Sequence, residues 1–168
     1  DALASVPRPP RELVGFAKAG ALAKDKMHVY DRRANGFFPG EGCGFAVLKR
    51  LEDAIRDHNN IYAVIKGWGI SSDGRGGIME PSSSGQAMAI GRAYKDLDYQ
   101  VSDVDFIEGH GTGTAKGDRV ELQGIAAAVY KSVGHDRKRI CGVTSFKSIV
   151  GHTKAAAGVG GLIKAVLA

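Results

Sequence analysis

Cysteine is scarce in this chain of 168 residues, occurring only as Cys43 and Cys141. Far apart and set among apolar or glycine-rich neighbours, the two exclude a disulfide framework and read as small buried hydrophobes. Long apolar runs are missing as well. No stretch reaches the eighteen or so residues that mark a membrane helix, and no secretory leader is recognisable, so a cytoplasmic protein without a membrane partner is expected. Aromatic residues make up 7% of the chain and are not interleaved with the basic ones, which removes the stacking platform of a nucleic-acid binder. The net charge of +5 comes from lysines and arginines scattered among acids, with short clusters at Arg32-Arg33 and Arg137-Lys138-Arg139. No nucleic-acid partner follows from so diffuse a surplus; it suits a solvated face that attracts an acidic partner.

A length of 168 residues is that of one domain able to bury a core. The chain opens without Met, in a proline-rich stretch, and stops at Ala168 inside an apolar run, which reads as a piece of something larger. Between these ends, strand-like and helix-like segments alternate. Arg11 to Lys24 is a weak helix interrupted by Gly15 and Gly20, Cys43 to Lys49 is a short apolar strand, and Leu51 to His58 is a helix. Ile61 to Ile70 is a second strand and Ser71 to Ser84 a long loop. Ala87, Ile90, Ala93, Tyr94 and Leu97 then recur at helical spacing behind the Ser82-Ser83-Ser84 cluster, which offers an N-cap. Val104 to Ile107 and Ile140 to Thr144 are further strands. Asp118 opens a helix running to about Val133, where its charge suits the dipole. Thr153 to Ala168, apolar or small nearly all round, has the composition of a fully buried helix.

Two histidines sit in glycine-rich loops behind the last two strands: Glu108-Gly-His110-Gly-Thr-Gly-Thr114, and Ser145-Phe-Lys147-Ser-Ile-Val-Gly-His152. Alternating strands and helices imply parallel βαβ pairing, and in such sheets the loops beyond the carboxyl ends of the strands share one site. His110 and His152 are therefore expected on the same side, close enough to grip one carbonyl oxygen while charge builds on it. A phosphate-binding module is the competing reading of Gly109 to Asp118, a glycine loop between strand and helix. It fails on detail, because Lys116 is followed by Gly117 where a P-loop needs Ser or Thr, and the dinucleotide fingerprint is absent.

Asp31-Arg-Arg-Ala-Asn-Gly36-Phe-Phe-Pro-Gly-Glu-Gly42-Cys-Gly, Ser72-Asp73-Gly, Glu108-Gly-His110-Gly-Thr-Gly-Thr114 with Gly117-Asp118, and Lys147 with Gly151-His152 and Ala155-Ala-Ala-Gly158 together carry a resemblance over nearly the whole chain. It resembles a β-ketoacyl synthase of the polyketide and fatty acid synthase type, with wording around Asn35 to Gly40 and Gly67 to Gly74 similar to ketosynthases of iterative, enediyne-type polyketide synthases. The resemblance implies an α/β thiolase-like fold, here its C-terminal half with a mixed sheet and a buried helix. It also implies decarboxylative Claisen condensation of acyl and malonyl thioesters, as an acyltransferase. The catalytic set it implies is His110, His152, Lys147 and Glu121. Both histidines would hydrogen-bond the malonyl thioester carbonyl, and Lys147 would pair with Glu121 to orient the site. A nearby helix N-terminus would help keep His152 neutral. Thr112 and Thr114 match hydroxyls that contact the pantetheine arm.

No bound cofactor or metal is implied, since the phosphopantetheine is carried by an acyl carrier protein, the expected partner. A homodimer is implied for the intact enzyme. Neither cysteine matches the family's nucleophile, and the family's closing glycine and phenylalanine loop is not seen. Residues 1–168 thus read as a partial ketosynthase domain, inactive alone and partnered by the missing half. A non-catalytic, chain-length-controlling partner is the remaining alternative; retention of both histidines and Lys147 argues against it.

Overall fold

A computed structural model describes residues 10–74, 80–133 and 141–168. Most of the proline-rich opening, residues 75–79 of the long loop, the basic cluster at 137–139 and Ile140 lie outside the described residues. Helix α1 covers Pro10–Lys18. Proline suits a first helical position, where its missing N–H would have had no helical acceptor. The helix stops short of the expected Lys24 because Gly20 turns the chain at φ +65°, its N–H bonding back to the Ala17 carbonyl at 3.0 Å. Helix α2, Leu51–Arg56, has Glu52 and Asp53 in its first turn, and His58 at φ +52° lies just beyond its end. Helix α3, Ser83–Ala93, starts from the predicted serine cluster, with Ser82 Oγ accepting the Gly85 N–H at 3.2 Å. It packs along α4, Ala115–Val133. Gly124 allows the close approach, since a Cβ there would lie 3.0 Å from the Ser83 carbonyl oxygen.

Strands β1, Phe106–Glu108, and β2, Gly142–Thr144, pair in parallel, with Phe106 opposite Gly142 and Glu108 opposite Thr144. Short helix α5, Lys147–Val150, and a 3₁₀ turn at Lys154–Ala156 lead into α6, Ala157–Leu167, which lies against β1. Glu108 ties these elements together: it accepts from Lys164 Nζ at 2.6 Å, from Thr144 Oγ1 at 2.9 Å and from the Phe146 N–H. Burial pushes its carboxyl up, but these three donors outweigh that and hold it below the ordinary carboxylate range.

Three expectations are corrected. Residues 43–49 and 61–70 form no strand, and their apolar side chains are open, Phe45 at 89%, Val47 at 97% and Trp68 at 76% exposure. Both segments do touch helices: Gly44 faces Val159 and Ile163 of α6, while Gly69 lies so near α3 that a Cβ would collide with the Ala89 carbonyl oxygen. Among the described residues no neighbouring strand accepts their backbone groups, and strand formation needs that partner as much as β-propensity. Helix α6 is covered on one side only; Ala157 and Gly161 are buried and Leu167 is 69% exposed. Along Val159 and Ile163 the helix borders a cavity of about 350 Å³ also lined by Cys43, Phe146, Ile149 and Thr153 among others. Cys43 is itself exposed and Cys141 partly so, so neither is a buried hydrophobe.

Candidate active site

The two histidine loops leave the same ends of β1 and β2 and meet. The rings of His110 and His152 stand edge to face with centroids 5.6 Å apart. Each is fixed by its own loop. After β1, the chain passes through Gly111 at φ +45° and Gly113 at φ +73°, a path that glycine follows without penalty. The close fit forbids side chains as well: a Cβ at Gly111 would lie 2.5 Å from Ser145 Cβ, and one at Gly113 2.6 Å from the Gly36 carbonyl oxygen. After α5, Gly151 at φ +76° delivers His152, whose N–H donates to the Phe38 carbonyl at 2.7 Å while its carbonyl accepts from Gly40 N–H at 3.0 Å. Phe37 packs its ring 5.1 Å from that of His152.

The peptide of His110 is held from both sides. Glu121 of α4 accepts its N–H at 2.5 Å and that of Gly111 at 2.9 Å. Lys147, only 4% exposed, donates Nζ to the His110 carbonyl at 2.7 Å and lies 3.4 Å from His110 Nδ1; Ser145 Oγ donates to the same carbonyl at 3.2 Å. Among the described residues no ion pair joins Lys147 to Glu121, so the expected direct contact is replaced by two contacts on one residue. Opposite charges still interact through space, since the Glu121 and Glu108 carboxylates partly offset the burial that lowers the Lys147 pKa.

Tautomers follow from these partners. An ammonium can only donate, so His110 Nδ1 beside Lys147 accepts and the ring proton sits on Nε2. His152 Nδ1 accepts the Lys154 N–H at 3.1 Å, which places its proton on Nε2 as well. Lys154 holds φ +56° to make that bond, an uncommon conformation for a residue other than glycine. Burial, then the charge of Lys147, lowers the His110 pKa from its ordinary 6.5. Burial lowers that of His152 to about 4, assisted by Lys147, the His110 ring and Lys154. Burial first and then the neighbouring cations disfavour the charged form of His152, and the helix N-terminus that meets its ring is that of the 3₁₀ turn, whose Lys154 N–H donates to Nδ1, rather than that of α6.

Thr112 and Thr114 sit at the loop end with their hydroxyls 2.9 Å apart, and Thr114 Oγ1 accepts the Gly117 N–H at 3.2 Å, capping α4. Asp118, 3% exposed, accepts from Gly113 N–H at 3.0 Å and from Tyr30 N–H at 2.7 Å. Burial raises its pKa and those two bonds oppose the rise. The N–H groups of residues 110, 111 and 113 are all given to carboxylates, which counts against a phosphate cradle in this loop. Sequence reasoning misses Tyr30, whose hydroxyl reaches Glu121 at 2.9 Å across 91 residues of chain; no periodicity or motif marks such a pair.

Residues 62–168 match the model of the β-ketoacyl synthase C-terminal domain, and residues 4–54 that of the β-ketoacyl synthase N-terminal domain. The chain belongs to the β-ketoacyl synthase family. As a ketosynthase it is similar to polyketide synthase PksL of Bacillus subtilis, 40% identical over 160 residues that make up 94% of this chain and 4% of that protein. It is similar also to one subunit of the polyunsaturated fatty acid synthase of Thraustochytrium sp., 41% identical over 157 residues, 92% of this chain and 6% of that one. Among solved structures, the ketosynthase from module 6 of the bacillaene synthase from Bacillus subtilis 168 superposes with a TM-score of 0.89 at 40% identity, over 95% of this chain and 29% of that one. That agreement gives the chain the thiolase-like α/β fold of ketosynthases. The chain thus spans well under a tenth of those two curated relatives and under a third of that structure. No described helix is long and apolar enough to cross a membrane.

Proposed function

We propose that this chain is part of a β-ketoacyl synthase domain and supplies the half of the active site that decarboxylates a malonyl thioester. The observation that carries this is the meeting of two imidazole rings with centroids 5.6 Å apart, His110 Nδ1 beside the Lys147 ammonium and His152 Nδ1 accepting the Lys154 N–H, which assigns the donating proton of each ring to Nε2. In the reaction the bond from the malonyl α-carbon to its carboxylate breaks and CO2 leaves. The electron pair spreads onto the thioester oxygen, where His110 and His152 stabilise it as an enolate. The α-carbon then bonds to the carbonyl carbon of an acyl thioester held on a cysteine, and that sulfur departs as thiolate, so charge balances. Each donor aimed at such an oxygen is worth about 2.7 to 4 kcal/mol in the barrier. Lys147 and Glu121 act through His110 as positioning residues, and one Thr112 or Thr114 hydroxyl proton remains to bond the pantetheine arm.

The nucleophilic cysteine is supplied by the rest of the domain. Support comes from the exposed apolar side chains of residues 43–49 and 61–70 and the open side of α6, which a further half would cover. An acyl carrier protein is the substrate-bearing partner, and the domain acts as a homodimer. The full-length protein is expected to release CO2 from malonyl thioesters, with a rate that holds level as pH falls through 6.5, the ordinary imidazole value. The sign follows from both folded pKa values being lowered: the neutral, donating form persists below 6.5 and for His152 is lost only near pH 4. Stability declines over the same interval, because unfolded histidines take up protons that folded ones refuse. A pH–rate profile of decarboxylation checks this. An acid limb centred at 6.5 contradicts the assigned neutrality, and a full-length protein inert toward malonyl thioesters supports the non-catalytic partner reading instead.

A further inference from the structure

We propose that Tyr30 is a positioning residue for this site: its hydroxyl fixes the Glu121 carboxylate that aims His110. The inference rests on the reading of His110 as an enolate-stabilising donor. Three observations carry it. First, α4 grips Tyr30 twice from adjacent turns, Asp118 Oδ2 accepting its N–H at 2.7 Å and Glu121 Oε2 its hydroxyl at 2.9 Å. Second, Tyr30 holds φ +55°, a left-handed conformation that an aromatic residue keeps only when its surroundings over-determine it. The two carboxylates do so. Third, the hydroxyl is seated against the catalytic loop itself. A Cβ built at Gly109 would collide with Tyr30 Oη and lie 3.0 Å from Glu121 Oε1, so Gly109 leaves room for this hydroxyl immediately before His110.

The consequence runs through one carboxylate. Glu121 accepts three donors: the His110 N–H, the Gly111 N–H and the Tyr30 hydroxyl. The first two belong to the loop that must be aimed, and the third comes from outside it. Tyr30 is therefore the reference point against which α4 and the histidine loop are registered. Burial and then the Glu121 charge push the phenol well above its ordinary range, so it stays protonated and donating at every working pH.

The test uses the full-length ketosynthase and the variants Tyr30→Phe, Glu121→Gln and the pair. Tyr30→Phe keeps the ring and removes the hydroxyl alone. It is expected to slow CO2 release from malonyl thioester about tenfold, the kinetic equivalent of one hydrogen bond to a charged group. The KM and the rate of acylation of the enzyme cysteine should stay near wild type. In the Glu121→Gln background the same change should slow decarboxylation no further, because the interaction it removes is already impaired. A wild-type rate in Tyr30→Phe, equal slowing of acylation and decarboxylation, or fully additive losses in the pair would each overturn the assignment. An active, His110-dependent enzyme indifferent to Tyr30→Phe defeats this inference alone. A full-length protein with no malonyl decarboxylation defeats the reading of the site, and the role of Tyr30 with it.

Discussion

His152→Ala in the full-length ketosynthase is expected to slow malonyl decarboxylation about a hundred- to a thousandfold, the usual loss on removing one preorganised donor from a developing oxyanion. His152 is placed for such a loss. Its backbone is locked on both sides to residues 38 and 40, and its Nδ1 is spent on the Lys154 N–H, leaving Nε2–H as its only remaining donor. A scaffold role for the ring would show as a lower Tm with the chemistry intact. His110→Ala should fall in the same range, since its ring stands edge to face against that of His152 with centroids 5.6 Å apart. If, as proposed, both donors serve one oxygen, the double variant should lose less than the product of the single losses. Acylation of the enzyme cysteine should be little changed in either single variant. Measuring released CO2 and acyl-enzyme separately checks the assignment, and a His152→Ala enzyme within about threefold of wild type in decarboxylation removes it.

Lys147→Met is expected to cost about a hundred- to ten-thousandfold in the same assay, the upper figure being that of an imidazole left in the wrong tautomer. Lys147 lies buried with its ammonium between the His110 carbonyl and His110 Nδ1. Methionine fills much the same volume but donates nothing, so the proton of His110 is free to move to Nδ1 and the ring to turn. A second effect separates this from simple damage. The Lys147 charge contributes to lowering the pKa of both histidines, so its loss should let both values rise toward 6.5. The acid limb of the decarboxylation profile should then shift to higher pH in Lys147→Met. An unshifted limb with full activity would place Lys147 outside the site's electrostatics.

The features legible in the residues are those that the residues announce locally. Ser82 caps α3, Asp118 opens α4, and the strand-loop-helix order that brings His110 and His152 together is written in consecutive residues. Capping, glycine turns and parallel crossovers are short-range or topological rules, so they survive without knowledge of the neighbours. What failed depends on distant partners. Residues 43–49 and 61–70 have strand-like composition but, among the described residues, no strand beside them. Cys43 has apolar neighbours in sequence and solvent in space. The family resemblance implies a direct Lys147–Glu121 pair, whereas both side chains instead grip the backbone of His110, a contact that a motif match cannot foretell. Tyr30 carries no signal at all, because its partners lie 88 and 91 residues away. A helix N-terminus near His152 is legible in the sequence, but burial and the approach of Lys147 are not.

The most direct measurement is a crystal structure of the full-length ketosynthase bound to a malonyl amide, which mimics the thioester but does not lose CO2 readily. The amide oxygen is expected about 3 Å from Nε2 of both His110 and His152, the spacing of an oxyanion donor pair. An oxygen bonded to only one ring, or held by other groups while the rings turn away, would contradict it.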